Sequence, residues 1–292
     1  MPTVGESSDA NSVDEGERTF IEHYDGSTWT IVPSPNPAHG FGSADLLTSI
    51  SGVGPGDIWA AGWDLNPATN TIEFLLEHWD GTSWTIAPSP TPIGGLDSAW
   101  GVVAIAPNDA WAVGASALQV TKAAHWDGSA WTYVPTPSLH DGINPTNLLT
   151  AVAAISPDDV WASGYERNAN NQNFSRPYVL HWDGAEWTLI TLPNQGGEGS
   201  LLFGTTALSS SDVWVVGQTQ ELDGSILTLT ERFDGTAWSI VPSPSPGHIG
   251  GIRVNGLRAV ALAGGSSLFA LGFQEFEGAC CTRTLGIATN QG

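Results

Sequence analysis

AVAAISPDDVWASG (151–164) followed by YVLHWDGAEWTLI (178–190) is the stretch whose reading decides the fold. Asp183-Gly184 stands between two alternating apolar runs, the strongest short-range hairpin signal, because glycine accepts the positive φ that a tight turn demands. Ser156-Pro157-Asp158-Asp159 divides the earlier runs in the same way, with proline presetting φ and aspartate closing a polar tip. Two hairpins in series predict four strands, at about 148–155, 159–165, 177–182 and 186–191, each near the usual strand length.

The unit recurs along the chain. One motif appears as HYDGSTW (23–29), HWDGTSW (78–84), HWDGSAW (125–131), HWDGAEW (181–187) and RFDGTAW (232–238). The other appears as GPGDIWAAG (54–62), APNDAWAVG (106–114), SPDDVWASG (156–164), SSSDVWVVG (209–217) and GGSSLFALG (264–272), in strict alternation with the first. A fixed period of about fifty residues is the signature of a repeat architecture. The fourth strand runs into proline-rich tails (VPSPNP at 32–37, APSPTP at 87–92, VPTPSL at 134–139, VPSPSP at 241–246), and proline, which donates nothing to a ladder, belongs on an exposed edge. Four-stranded antiparallel sheets repeated about an axis are propeller blades. The prediction is an all-β, five-bladed β-propeller over 18–292, preceded by an acidic segment, 1–17, that makes few core contacts.

The third-strand pattern occurs once more than the others, as RTFIEHY (18–24) near one end and RTLGIAT (283–289) near the other. The first of these leads into a full Asp-Gly turn. The expectation is therefore that 18–33 supplies strands three and four of the last blade, closing the ring, and that 281–289 is surplus. A surplus strand is a template for pairing, in cis or with a second molecule.

Composition bounds the partners. Thirty acids face eight bases, a formal net charge of −22, which opposes phosphate backbones and anionic lipid; no nucleic-acid binding is expected. No apolar run reaches membrane-spanning length, and 1–17 lacks the apolar core of a signal peptide. The chain is either cytosolic or secreted with its leader removed, and scarce lysine with abundant Thr, Ser, Asn and Gly favours a bacterial secreted or cell-surface protein. Cys280 and Cys281, the two cysteines, are adjacent; they do not make a disulfide framework or a closed zinc site, and the options are a vicinal disulfide, free thiols or a link between chains.

The repeats resemble the kelch or galactose-oxidase type of propeller in strand logic, and more closely the bacterial repeat proteins that carry DVWAVG and HWDGTxW. The likeness runs from Arg18 to about Ile287. Asp-Gly followed by Trp is also similar to the Asp-box of sialidase-type propellers, which lies between third and fourth strands but spaces Asp and Gly by one residue. The resemblance implies that the links from strand two to three, and from strand four to the next strand one, share a face. Those links are the variable ones here: DLNPATNT (64–71), ERNANNQNFSRP (166–177) and QEFEGACC (274–281).

The repeated polar residues read as structural. The Trp59, Trp111, Trp161, Trp214 and Phe269 column and the Trp29, Trp84, Trp131, Trp187 and Trp238 column are expected to pack blade on blade, at about 3–5 kcal/mol for truncation to alanine. His23, His78, His125 and His181, matched by Arg232, lie one per blade and do not converge on a metal, so each is expected to fix its own blade. Asp25, Asp80, Asp127, Asp183 and Asp234, with Asp57, Asp109, Asp159 and Asp212, read as turn formers. His39, His140 and His248 fall in inter-blade links and read as solvated, with a three-histidine site conceivable. No metal and no cofactor is expected, and no catalytic residue is assigned.

One column departs from its small and aliphatic surroundings near the start of strand one: Thr48, Trp100, Thr150, Phe203 and Arg258. With Arg167, Asn171 and Asn173 of the long variable loop, these are the candidate ligand-binding residues, and an exposed Trp with an Arg suits a sugar or a peptide carboxylate. The function expected is a non-enzymatic binding or scaffold propeller for a glycan or a protein surface. The alternatives are a subunit self-assembling through 281–289 and a secreted carbohydrate-active enzyme. The last needs two carboxylates at the site, and strand one offers only Asp45 and Asp97.

Overall fold

The computed structural model describes residues 2–7, 17–37, 39, 42–92, 95–116, 120–137, 145–168, 171–193, 199–249, 251–262, 267–275 and 283–290. Within them the chain is strand, turn and extended connection with no helix, and none therefore long and apolar enough to cross a membrane. Strands β1 (Pro2–Ser7), β2 (Arg18–Tyr24) and β3 (Trp29–Val32) form a three-stranded sheet. Four four-stranded sheets follow, each in the order one-two-three-four. They are β4 (Ala44–Gly54) to β5 (Asp57–Asn66), β6 (Thr71–Trp79) and β7 (Trp84–Ala87), then β8 (Asp97–Ala106), β9 (Asp109–Ser116), β10 (Thr121–Trp126) and β11 (Trp131–Val134). The next two are β12 (Pro145–Ser156), β13 (Asp159–Asn168), β14 (Asn171–Trp182) and β15 (Trp187–Thr191), then β16 (Gly199–Ser209), β17 (Asp212–Gln220), β18 (Ile226–Phe233) and β19 (Trp238–Ile240). A short ribbon of β20 (His248–Ile249) and β21 (Ile252–Arg253) precedes the last sheet, β22 (Asn255–Leu262), β23 (Ser267–Gln274) and β24 (Arg283–Asn290). All ladders between these strands are antiparallel. Contacts group the chain into two units, Met1–Thr136 and Pro137–Gly292, each with its own core.

The repeated motifs account for the local structure. Gly26, Gly81, Gly128, Gly184 and Gly235 sit at φ between +91° and +102°, a region that a Cβ disfavours. The preceding aspartate caps each turn: Asp80 Oδ1 accepts the Thr82 and Ser83 amides at 2.8 and 2.9 Å, and Asp234 accepts those of Thr236 and Ala237. Hydroxyl bonds from Thr82, Ser129 and Thr236, together with these amide bonds, favour the charged form and hold Asp80, Asp127 and Asp234 at about 2. The indole just before the aspartate ties the two hairpins together, with Trp79, Trp126 and Trp182 donating Nε1–H to the Pro55, Pro107 and Pro157 carbonyls at 3.0–3.2 Å.

In the four four-stranded sheets the histidine column fixes the blade internally, as its one-per-sheet spacing implies. His78, His125 and His181 contact Asp57, Asp109 and Asp159 through Nε2 at 2.7, 2.9 and 2.9 Å, and Arg232 Nε donates to Asp212 at 2.8 Å. Each ring also lies against its sheet's buried tryptophan, with centroids 4.1–4.6 Å apart for the three histidines. Between sheets, that tryptophan packs on the aromatic pair of the following sheet. Trp59 is 5.0 Å from both Trp126 and Trp131, and Trp161 is 5.3 and 5.9 Å from Phe233 and Trp238.

Both ends differ from the sequence expectation. Pro2–Ser7, part of the acidic segment expected to make few core contacts, is a strand paired along β2 over six rungs. The hairpin β2–β3 therefore belongs to a sheet with β1, and the third position of the last sheet is taken by β24, paired with β23 from Ser267↔Asn290 to Gln274↔Arg283. Residues 283–290 are thus not surplus. The physical reason is edge satisfaction: β23 has an open ladder, and β24 offers it an alternating segment that buries Leu285 against Leu257 and Ala270. Among the described residues there is accordingly one sheet without a first strand and one without a fourth. Cys280 and Cys281 lie outside the described residues.

Candidate functional site

The column that departs from its neighbours has a common backbone cause. In each of the five sheets where strand one pairs with strand two, the register slips by one residue near the start of strand one. The slips fall between Leu47 and Ser49, Ala99 and Gly101, Leu149 and Ala151, Leu202 and Gly204, and Leu257 and Ala259. The extra residues are Thr48, Trp100, Thr150, Phe203 and Arg258, so every member of the column is a β-bulge residue. Bulges redirect a side chain away from the regular alternation. They also explain the glycine that ends each strand-two motif. A Cβ on Gly62, Gly114, Gly164, Gly217 or Gly272 would stand 1.7–1.9 Å from a strand-one carbonyl oxygen.

The five bulge residues then diverge. Thr48 and Thr150 are turned to structural use: Thr48 Oγ1 donates to the Ala61 or Ala99 carbonyl at 3.1 and 3.2 Å, and Thr150 Oγ1 to the Ser163 or Leu202 carbonyl at 3.1 and 2.9 Å. Each bridges two sheets. Trp100, in the first unit, is 38% exposed, with its Nε1–H donated to Ser98 Oγ at 3.1 Å and its ring open. In the second unit Phe203 and Arg258 come together. The Arg258 guanidinium lies 4.0 Å over the Phe203 ring and 5.1 Å over the Phe273 ring. Tyr165 meets Phe203 edge-on at 6.1 Å, and exposed Arg167 lies 5.6 Å over Tyr165. Asn171 and Asn173 fall on β14, where Asn171 pairs with Asn168; their side chains are outside the described residues.

Three residues upstream of each bulge is a polar rung that sequence reasoning missed except at Asp45 and Asp97. It comprises Asp45↔Asp64, Asp97↔Ser116, Asn147↔Glu166, Ser200↔Thr219 and Asn255↔Gln274. Asp45 is buried at 1% exposure, and burial together with a hydrogen bond to Asp64 raises its pKa well above the carboxylate range. Asp64 Oδ2 is 2.8 Å from His39 Nε2. Asp97, 3% exposed, accepts Tyr133 Oη–H at 2.8 Å and lies 3.6 Å from Lys122 Nζ. Both carboxyls are engaged inside their sheets and face no solvent. No cluster of His, Cys, Asp and Glu suited to a metal occurs among the described residues. Of the three linker histidines, His39 serves Asp64, His140 lies outside the described residues, and so does the side chain of His248.

A pocket of about 670 Å³ opens between the first two sheets, lined among others by Ile21, His23 and Val32 on one side and Ile58, Trp79 and Trp84 on the other. In the neighbouring sheets this place holds the strand-two tryptophan. The register shows why it is open here: Pro2 stands opposite His23 as Trp59 stands opposite His78.

No protein-family model and no curated protein matches the chain. Solved structures do. The SapL1 lectin in complex with alpha methyl fucoside is 16% identical with a TM-score of 0.53, covering 99% of this chain and 93% of that one. A protein of unknown function from Dyadobacter fermentans is 16% identical with a TM-score of 0.57, covering 92% of this chain and 83% of its own. The Trypanosoma rangeli sialidase in complex with sialic acid is 14% identical with a TM-score of 0.57, and although 98% of this chain is covered it spans only 51% of the sialidase. At these identities the likeness shows the fold: a β-propeller of four-stranded antiparallel blades.

Proposed function

We propose that the protein is a non-enzymatic, glycan-binding propeller whose ligand is met by the bulge column. The observation that carries this reading is that five sheets share one bulge yet fill it with four different residue types: two threonines consumed in bridging sheets, and Trp100, Phe203 and Arg258 left to display aromatic and cationic surface. A purely structural bulge needs no such variety. The likeness to the SapL1 lectin fits the reading, and the engagement of Asp45 and Asp97 within their sheets weighs against glycosidase chemistry, which requires two carboxylates at the substrate. A secreted or surface location is part of the proposal. A glycan array probed with the labelled chain tests it; binding to no glycan class contradicts it.

The finer architecture is proposed with it: 18–292 as a single five-bladed domain. Two features support this. Trp29 on the N-terminal sheet and Phe269 and Leu271 on the C-terminal sheet are exposed where their equivalents, such as Trp84, Trp111 and Val113, are buried. The pocket at Trp79 and Trp84 is also the kind of place that the strand-two aromatic of a preceding blade fills. Self-association through 281–289 is the second reading, favoured by the open edge of β24.

A further inference from the structure

Arg258 is unusual for this chain. Thirty carboxylates are available to eight bases, and Lys122 and Arg232 each have an aspartate partner. Among the described residues Arg258 has none. Instead its guanidinium lies over two phenyl rings, Phe203 and Phe273. Rings above a guanidinium use its faces and leave its in-plane N–H donors unengaged. Those donors form a rigid fork whose geometry matches a carboxylate, with two parallel N–H···O bonds. A free arginine must surrender side-chain entropy to present that fork; one clamped by rings at a bulge has already done so.

The surroundings extend in one direction. Tyr165 continues the aromatic strip from Phe203, and Arg167 places a second guanidinium over it. Neither arginine has a carboxylate partner among the described residues. Aromatic faces accept the apolar C–H face of a pyranose, and a cation beside them accepts an anionic substituent. The net charge of −22 does not cancel this, because exposed charges further off than about 8 Å are largely screened at physiological salt.

Resting on the glycan-binding reading, we infer that Arg258, clamped by Phe203 and Phe273, is a subsite for a carboxylate-bearing sugar, with Tyr165 and Arg167 flanking it. Uronic acids and nonulosonic acids such as sialic acid both present that group. Neutral sugars lack the acceptor for the fork and leave it unused.

The test is calorimetric titration of the full chain with methyl β-glucuronide, methyl β-glucoside and the methyl glycoside of N-acetylneuraminic acid, for wild type, Arg258→Gln and Arg258→Lys. One or both acid sugars should bind at least about tenfold more tightly than the glucoside, since charged hydrogen bonds are the strong ones. Arg258→Gln should abolish that preference. Arg258→Lys keeps the charge over the rings but not the fork, and should restore only part of it. Which acid binds separates the two sources. A melting curve for each variant separates loss of binding from loss of fold, and Arg258→Lys serves where Arg258→Gln fails to fold. Equal binding of acid and neutral sugars, or a preference that survives Arg258→Gln, overturns the inference and leaves the glycan reading intact. No binding of any of the three together with a blank glycan array overturns both.

Discussion

At the scale of the residue, two features make measurable demands. The strand-two glycines exist because the bulge brings a strand-one carbonyl to where a Cβ would stand: 1.9 Å for Gly114, against 3.7 Å to the nearest atom for Gly286 on β24. Gly114→Ala should therefore cost about 3 kcal/mol or more through forced backbone displacement, while Gly286→Ala should change stability by less than about 1 kcal/mol. Chemical denaturation of both variants checks this, and equal midpoints would contradict the bulge account. The second demand concerns pH. Burial raises Asp45 above the carboxylate range and Glu77 to about 7. A folded-state pKa above the unfolded value means the folded chain binds more protons, so stability falls as pH rises from about 4.5 through 7. The turn aspartates held at about 2 act oppositely, losing their contribution only as pH drops below their unfolded value of 3.8. The melting temperature should accordingly peak in mildly acidic buffer. Asp45→Asn should flatten the decline towards pH 8, since the same rung in another sheet is already Asn147 opposite Glu166. A variant with the wild-type pH slope would show that Asp45 carries no raised pKa.

At the scale of the element, much was legible in the sequence. Asp-Gly and Pro-Asp turns fix where strands begin because their backbone angles are local properties, and strands two and four start within a residue of where the motifs place them. The one-per-sheet histidines were readable as internal ties for the same reason: a residue repeated once per blade has its partner in its own blade. The bulges were not legible. A bulge is a two-against-one count across a ladder, and in runs such as LLTSIS or LLTAVAA small and apolar residues follow one another without a break in alternation. The column was visible as an oddity, and only pairing shows why. The polar rung escaped because five different residue pairs occupy it. The terminal strand was misjudged because Gly286 and Ala288 weaken its pattern, whereas an open edge accepts even a weak strand. Deletion of residues 280–292 decides between the arrangements of that edge. If β2–β3 completes the last blade, the shortened chain keeps its melting temperature and its mass in solution; if β24 is an integral third strand, the melting temperature falls by several degrees.

At the scale of the whole molecule, the repeats supply a scaffold, and on the proposed reading the bulges supply a display. The scaffold is held by aromatic packing from sheet to sheet and by ion pairs within sheets, all placed by the two motifs. The proposed display uses the same backbone irregularity in the five sheets where strand one pairs with strand two and changes only the side chain, an arrangement in which recognition would vary without altering the fold. This division of labour is testable with one measurement: affinity for the best array glycan in Trp100→Ala/Arg258→Ala, beside a control altered at the far end of strand one, Val53→Ser/Ile155→Ser, where the exposed side chains are equally accessible. The account predicts at least a tenfold loss in the first variant at a melting temperature within about 3 °C of wild type, and unchanged affinity in the control. Undiminished binding in the first variant, or a loss confined to the second, would contradict it.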